Sequence, residues 1–275
     1  MFLDIKVFKL LLILILEANL YNANRVTIFG ATGGLGQWCS KLLIDKGYLV
    51  TAVTRDVKTA QNFELLKGSK IFQADAKILD SSLISSVKNS DVIIISVGTT
   101  AFPTEKWKNG NDPKSACVDT VSTILEAVEK SRNRPSKMIL LSSIGVERRE
   151  SFPFKILNLY GILDAKRESE LLFLDKASKL GSKAIVSRPG RLVGAPFTNN
   201  DLAKLFQINQ GENQGIVLNN KDILSGDIER KDVAESIKRI IESKRLPDKL
   251  TYSIINKKGP PPDDLEWNQI LKNLV

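Results

Sequence analysis

The stretch RVTIFGATGGLGQ, Arg25 to Gln37, sets glycines at positions 30, 33 and 36 directly after a β-branched run and at the head of a segment of helical period. A strand that must turn straight into a helix leaves few architectures open. The free amides and the dipole at the helix N-terminus face whatever fills the turn, so the turn is a ready site for an anion. In this pattern Gly30 permits the sharp turn, Gly33 the close approach of a pyrophosphate and Gly36 the packing of helix on strand, with Thr32, Gly34 and Leu35 completing the cradle. Glycines so spaced also occur in plain tight connections. Their place after the first strand and at the first helix favours a dinucleotide.

The rest of the chain repeats the alternation. Strand-like runs are expected at Arg25–Phe29, Leu49–Val53, Lys70–Gln73, Val92–Val97, Met138–Ser142, Ala184–Ser187 and Tyr252–Ile255. Helical periodicity fills Leu35–Lys46, Ser115–Lys130, Leu163–Lys179 and Lys231–Ser243, with Asp232 at a helix start. This is the pattern of an α/β doubly wound parallel sheet, the NAD(P)-binding Rossmann fold. One domain over residues 25–275 is expected, with a small variable cap on the substrate side at about 191–225. After the rigid turn NKKGPPPDD, a last short helix is expected to face Leu265, Trp267, Ile270 and Leu274 inward.

The strand ends carry the cofactor choice. An acid after the second strand binds the ribose 2'-hydroxyl of NAD, whereas an arginine accommodates the 2'-phosphate of NADP. Here TAVTRD places Arg55 at that point with Thr54 as a further donor, so NADP is favoured and NAD stays possible. The alternative has Arg55 solvating the strand end while Asp56 takes the ribose. Past the third strand, Asp75 can accept from the adenine amino group, with Ala76 beside it. Val97 and Gly98 end the fourth strand, where a small residue lets the cofactor lie across the sheet edge. Each could be an ordinary loop residue, but their recurrence at successive strand ends matches the ligand edge of such a sheet.

Charge and composition narrow the function. Forty Lys and Arg against 31 Asp and Glu give a net charge of +9, which suits anionic partners; the excess is spread along the chain, which disfavours nucleic acid. With no histidine, His-based triads and His metal sites are excluded, and acid/base work falls to Tyr, Lys, Asp, Glu or Ser. Cys39 and Cys117 make neither a disulfide framework nor a CxxC pair. Residues 1–24 read as a leader, partly signal-like, whose apolar run from Leu10 to Leu16 is too short to span a bilayer. The expected location is the cytoplasm, with a plastid or secretory route through the leader as the alternative.

Taken in order, GATGGLG, LLSSIGV after the fifth strand, AKRESE on the next helix, SRPGRL after the sixth strand and GDIERKDVAESI resemble the atypical short-chain dehydrogenase/reductases of the nitrogen-metabolite-repressor-like sort. The resemblance runs from about Arg25 to the C-terminus. It implies that Arg188, Pro189 and Gly190 flank the nicotinamide and that Ser142 and Ser143 line the same space. The family's catalytic tyrosine has a lysine four residues later, and this chain departs from that: four residues after Tyr160 stands Asp164, and the nearest lysine is Lys166. Six residues apart on one helix the two side chains diverge by roughly 120°, unless the helix breaks at Gly161. Lys166 on AKRESE resembles the lysine of members that lack the tyrosine, and would contact the ribose or act as an acid. The plain alternative is a solvated lysine with Glu170 one turn on. Ser143 is left as the substrate-polarising hydroxyl.

Two classes of function stay open. One is an NADP-dependent reductase or isomerase acting on a small metabolite, with the loop of Phe102, Pro103, Trp107 and the KNGNDPKSA stretch over the substrate. The other is a non-catalytic sensor or assembly factor that binds the dinucleotide and a protein partner.

Overall fold

The computed structural model describes residues 24–108, 110–197 and 213–274. The expected leader and the middle of the expected cap lie outside these residues. Five parallel strands and the four helices between them are laid down first. They are β1 (Arg25–Phe29), α1 (Gly34–Asp45), β2 (Leu49–Thr54), the single turn α2 (Val57–Ala60), β3 (Lys70–Gln73), α3 (Ser81–Val87), β4 (Val92–Ile95), α4 (Thr120–Ser131) and β5 (Lys137–Leu141). The short α5 (Phe154–Leu157), α6 (Ile162–Lys179), β6 (Lys183–Pro189), β7 (Arg191–Val193), β8 (Gly215–Asn219), β9 (Asp227–Glu229), α7 (Arg230–Glu242), β10 (Lys249–Lys257) and α8 (Asp264–Lys272) follow.

The main sheet has the order β3-β2-β1-β4-β5-β6-β10-β8. All neighbours are parallel except β8, which runs antiparallel to β10 with Ile254 opposite Leu218. The sheet is therefore mixed at one edge. Residues 215–219, assigned from sequence to the cap, close that edge instead. Within the expected cap β7 remains, and it pairs with β9, just past the cap, in a separate two-stranded sheet.

Strand residues alternate between two cores, as the period of two demands. Val26, Ile28, Ala52 and Ile94 face one side with Leu43 of α1 and Ile237 and Ile240 of α7. Phe29, Val53, Ile93 and Ile95 face the other with Leu83 of α3, Leu125 of α4 and Phe173 of α6. Both faces are fully covered, which is why the parallel strands read as nearly continuous apolar runs. A third cluster of Cys117, Val146, Phe154, Ile162 and Leu163 is built above the strand ends, where it fixes the start of α6.

Three local expectations change. Trp267 and Leu274 are buried but Leu265 is 78% exposed, because the capping box of Asp263 and Glu266 sets the rotation of α8 so that Trp267 packs inward. The fourth strand stops at Ile95, two residues early, and Ser96–Gly98 leave the ladder for the ligand edge. The helix expected from Ser115 opens with a π-helical turn, Ser115–Asp119, before α4. Among the described residues, no helix is long and apolar enough to cross a membrane.

Candidate dinucleotide site

The chain reverses its winding direction between β1 and β4, and a crevice opens outside the carboxyl ends of strands at such a point. A cleft of about 410 Å³ lies there, lined at its centre by Gly30, Thr32, Gly33, Ser96 and Gly98. Each glycine of the turn has its own reason. Gly30 takes φ +76, and a Cβ on it would overlap the Ser96 carbonyl oxygen. At Gly36 a Cβ would overlap the Gly30 carbonyl and come 2.8 Å from Ala31 Cα, so α1 seats on the turn only with glycine there. Gly33 is different. It caps α1 at φ −71, ψ 155, and a Cβ would meet only the Gly30 oxygen, at 3.3 Å. Beyond that atom lies the cleft, so a bare Gly33 leaves room for a ligand against backbone, and the cradle fits a pyrophosphate.

Gly34 and Leu35 stand deeper. Leu35 is buried in the core, and Gly34 packs beneath the Pro196 carbonyl and against the Arg230 side chain, with Arg230 Nε 2.9 Å from where a Cβ would sit. Arg230 also donates to the Gly194 carbonyl, and Trp38 Nε1 donates to that of Ala195 at 2.7 Å. The start of the cap thus crosses α1 beside the cradle.

At the adenosine end, Thr54, Arg55, Asp56, Asp75 and Ala76 line the cleft. The Asp56 carboxylate caps α2, accepting from Thr59 N at 3.0 Å and Thr59 Oγ1 at 2.5 Å. The Thr59 hydroxyl, with its amide, holds the Asp56 carboxyl below the usual carboxylate range. Thr54 Oγ1 accepts from Asp56 N at 3.1 Å and fixes the same turn. Asp56 is therefore committed, while the exposed Arg55 guanidinium has no hydrogen-bond or ionic partner among the described residues. Asp75 accepts from Lys77 N at 3.0 Å through one oxygen.

Past Val97 and Gly98, beside the cleft but not in its lining, α6 carries Lys166 to the end of β5. Its ammonium donates to the Ser142 carbonyl at 3.4 Å and lies 3.9 Å from where a Gly98 Cβ would be. Glu170, the counterion expected one turn on, is taken elsewhere: its two oxygens accept from Arg188 Nε at 2.9 Å and Nη2 at 2.7 Å. Arg167 adds a third hydrogen bond at 3.2 Å. Arg188 is thus 2% exposed and turned into the protein. Nearby, the buried oxygens Ser142 Oγ and Thr99 Oγ1 lack hydrogen-bond partners, as donors for a bound group would. Ser143 Oγ donates to the Ile144 carbonyl at 3.0 Å.

The helix does break at Gly161, the alternative left open by the sequence: Gly161 takes φ +74 and α6 begins after it. Tyr160 therefore stands off the helix, 52% exposed, with its ring edge-on to Phe102 and Trp107 and its hydroxyl without a partner among the described residues. Pro189 and Gly190 do not line the cleft. Gly190 packs on the Gly226 carbonyl and Ile255, and the Pro189 carbonyl accepts from Ile144 N at 3.0 Å. That bond holds the loop after β5 in place. The buried Asp222 holds the same loop, accepting from Gly145 N at 2.8 Å and Glu147 N at 2.9 Å. Sequence reasoning missed Thr99, Asp222 and the cleft residue Thr120, and gave Asn111 to the substrate loop, where it lines the cleft. The hydroxyl-rich GTT after the fourth strand was the one signal available for Thr99.

Strand order, switch-point cleft and glycine cradle together define a dinucleotide-binding Rossmann protein. The model of the NAD(P)H-binding family matches residues 30–244, and the chain belongs to that family. No curated protein matches it. Solved structures share the fold at low identity. An oxidoreductase from Lactococcus lactis is 20% identical, with 91% of this chain and 96% of that one covered and a TM-score of 0.66. An anaerobillin reductase from Escherichia coli O157:H7 is 21% identical over 87% of this chain and all of that one, at 0.59. A wide-type short-chain dehydrogenase/reductase from Veillonella parvula, solved with NADP, is 16% identical over 86% of this chain and 95% of that one, at 0.58.

Proposed function

We propose that the protein is an NADP-dependent reductase of a small metabolite in which Lys166 is the catalytic cation. The observation that carries this reading is the Lys166 ammonium, placed between Gly98 and the Ser142 carbonyl with its natural counterion Glu170 bound to Arg188. A bound reduced nicotinamide supplies a hydride. What the chain supplies is the rest. The Gly30–Gly36 turn and the α1 amides hold the pyrophosphate, and Arg55 pairs with the 2'-phosphate, since Asp56 is occupied by Thr59. Lys166 donates a proton to the substrate atom on which negative charge develops and regains it from water, so carbon takes the hydride and the neighbouring atom the proton. Ser142 Oγ and Thr99 Oγ1 are the two further hydroxyl donors at this end. Tyr160 is assigned to the wall of the substrate space. The oxidoreductases among the proteins of similar fold support the reading.

The test is NADPH oxidation followed against a panel of quinones, enones and aldehydes. Lys166→Ala should slow turnover by about 10²- to 10⁴-fold, the usual worth of a general acid, with the fold intact. Turnover at the wild-type rate in that variant would overturn the role of Lys166. Tight NADPH binding with no oxidation of the wild type across the panel would point to the non-catalytic sensor.

A further inference from the structure

Phe102, Trp107 and Tyr160 belong to none of the three hydrophobic clusters. The three rings nevertheless converge from two separate segments. Tyr160 lies 6.0 Å from Phe102 at an interplanar angle of 78° and 6.0 Å from Trp107 at 88°. These are edge-to-face contacts of the kind aromatic pairs prefer. The arrangement is held by polar contacts rather than by core packing. Trp107 Nε1 donates to the Thr100 carbonyl at 3.1 Å, and the Thr100 hydroxyl bonds the Phe102 carbonyl at 2.9 Å and the Thr104 hydroxyl at 3.0 Å.

Its place in the fold gives it meaning. One segment follows Gly98 and the other precedes the helix that carries Lys166, and Lys106 and Asn111 of the first segment line the cleft, so the rings flank it. Apolar exposure continues outward through Leu159 at 67% and Phe152 at 81%. The arginines of the loop after β5, of α6 and of β6 are all paired: Arg148 with Asp222, Arg149 with Asp164, and Arg167 and Arg188 with Glu170. None of them is left to take a carboxylate or phosphate of a substrate. Lys166, Thr99 Oγ1 and Ser142 Oγ provide for a single polar function.

Resting on the reductase reading for its place beside the nicotinamide, we infer that the substrate class is a flat, conjugated, apolar molecule carrying one oxygen function, stacked on the wall of Phe102, Trp107 and Tyr160. A small anionic metabolite such as a 2-oxo acid finds no unpaired arginine beside these rings. Trp107 and Phe102 are specificity-determining residues in this account.

The experiment is isothermal titration of the full chain, with and without saturating NADP⁺, using 2-naphthol, its saturated counterpart decahydro-2-naphthol, and pyruvate. NADP⁺ carries no hydride, so binding is read without turnover. 2-Naphthol should bind at least tenfold more tightly than the saturated compound, and pyruvate should not bind. Trp107→Ala and Phe102→Ala should each weaken 2-naphthol at least tenfold while the NADP⁺ affinity and melting temperature stay unchanged, and Trp107→Phe should recover most of the loss. Should Trp107→Ala loosen its turn, Phe102→Ala still decides the matter. Equal binding of the flat and saturated compounds, or preference for pyruvate, overturns the inference. So does a dimer in sedimentation that both alanine variants dissolve, since the rings would then bury each other's partner copy. If 2-naphthol binds as expected but no panel compound is reduced, the reductase reading fails and the flat apolar site stands. If turnover occurs without 2-naphthol binding, the reverse holds.

Discussion

Gly33→Ala separates the fold's need for glycine from the ligand's. The backbone at Gly33 is one that alanine adopts freely, and the added methyl meets only the Gly30 oxygen at 3.3 Å, which yields by a few tenths of an ångström. The lower entropy of the unfolded alanine chain favours the variant by about 0.4–1 kcal/mol, which offsets that contact. Stability should therefore change by less than about 1 kcal/mol, which keeps the shift in Tm under about 2–4 °C for a chain of this size. Cofactor binding should not survive as well. The methyl projects into the cleft that Gly33 lines, so a pyrophosphate must withdraw and give up a charged hydrogen bond worth about 1.5–3 kcal/mol. That is a loss of about 10- to 150-fold in Kd. Gly36→Ala is the contrast: its methyl runs into backbone atoms of Gly30 and Ala31, an overpacking that costs about 1–3 kcal/mol. Thermal unfolding and NADPH titration on the two variants decide it. Wild-type affinity in Gly33→Ala would refute the reasoning that the turn touches the pyrophosphate.

The other expectations concern charge and burial. Arg55→Ala should raise the Kd for NADPH by about 10- to 150-fold, the worth of one charged hydrogen bond, and leave NADH binding unchanged in a parallel titration. Glu170→Ala leaves the 2%-exposed Arg188 with only Glu147, 2.9 Å away, and should cost about 3–5 kcal/mol in a denaturant melt; an Arg188→Met, Glu170→Leu pair should regain most of it. Cys39 is 1% exposed, and burial pushes its thiol up to about 12. It should resist iodoacetamide at pH 8 in the native protein and react once the protein is unfolded, as mass spectrometry can show.

The parts of the fold legible in sequence were those governed by local chemistry. Gly30 and Gly36 could be read because only glycine suits those backbone contacts, and the strands because both faces of a parallel sheet are apolar. The strand Gly215–Asn219 was not legible, since its period of two resembles a loop edge until β10 supplies its partner. Leu265 reads as buried in the sequence because helical spacing fixes a stripe but not its rotation, which the capping box at Asp263 sets. In the site, Arg55 and Lys166 were visible as residue types at strand and helix positions. What freed Lys166 was not, because the pairing of Glu170 with Arg188 spans 18 residues and depends on how α6 packs on β6. The contribution of Tyr160 to an aromatic wall depends likewise on Phe102 and Trp107, more than 50 residues earlier in the chain.

The most direct test of the central claim is a titration of the full chain with NADPH and NADH that follows nicotinamide fluorescence, then its decay when a quinone or enone is added. The account expects saturable binding of NADPH, weaker binding of NADH, and decay that requires the substrate. Saturation without decay would contradict the reductase, and no change with either nucleotide would contradict the cofactor site itself.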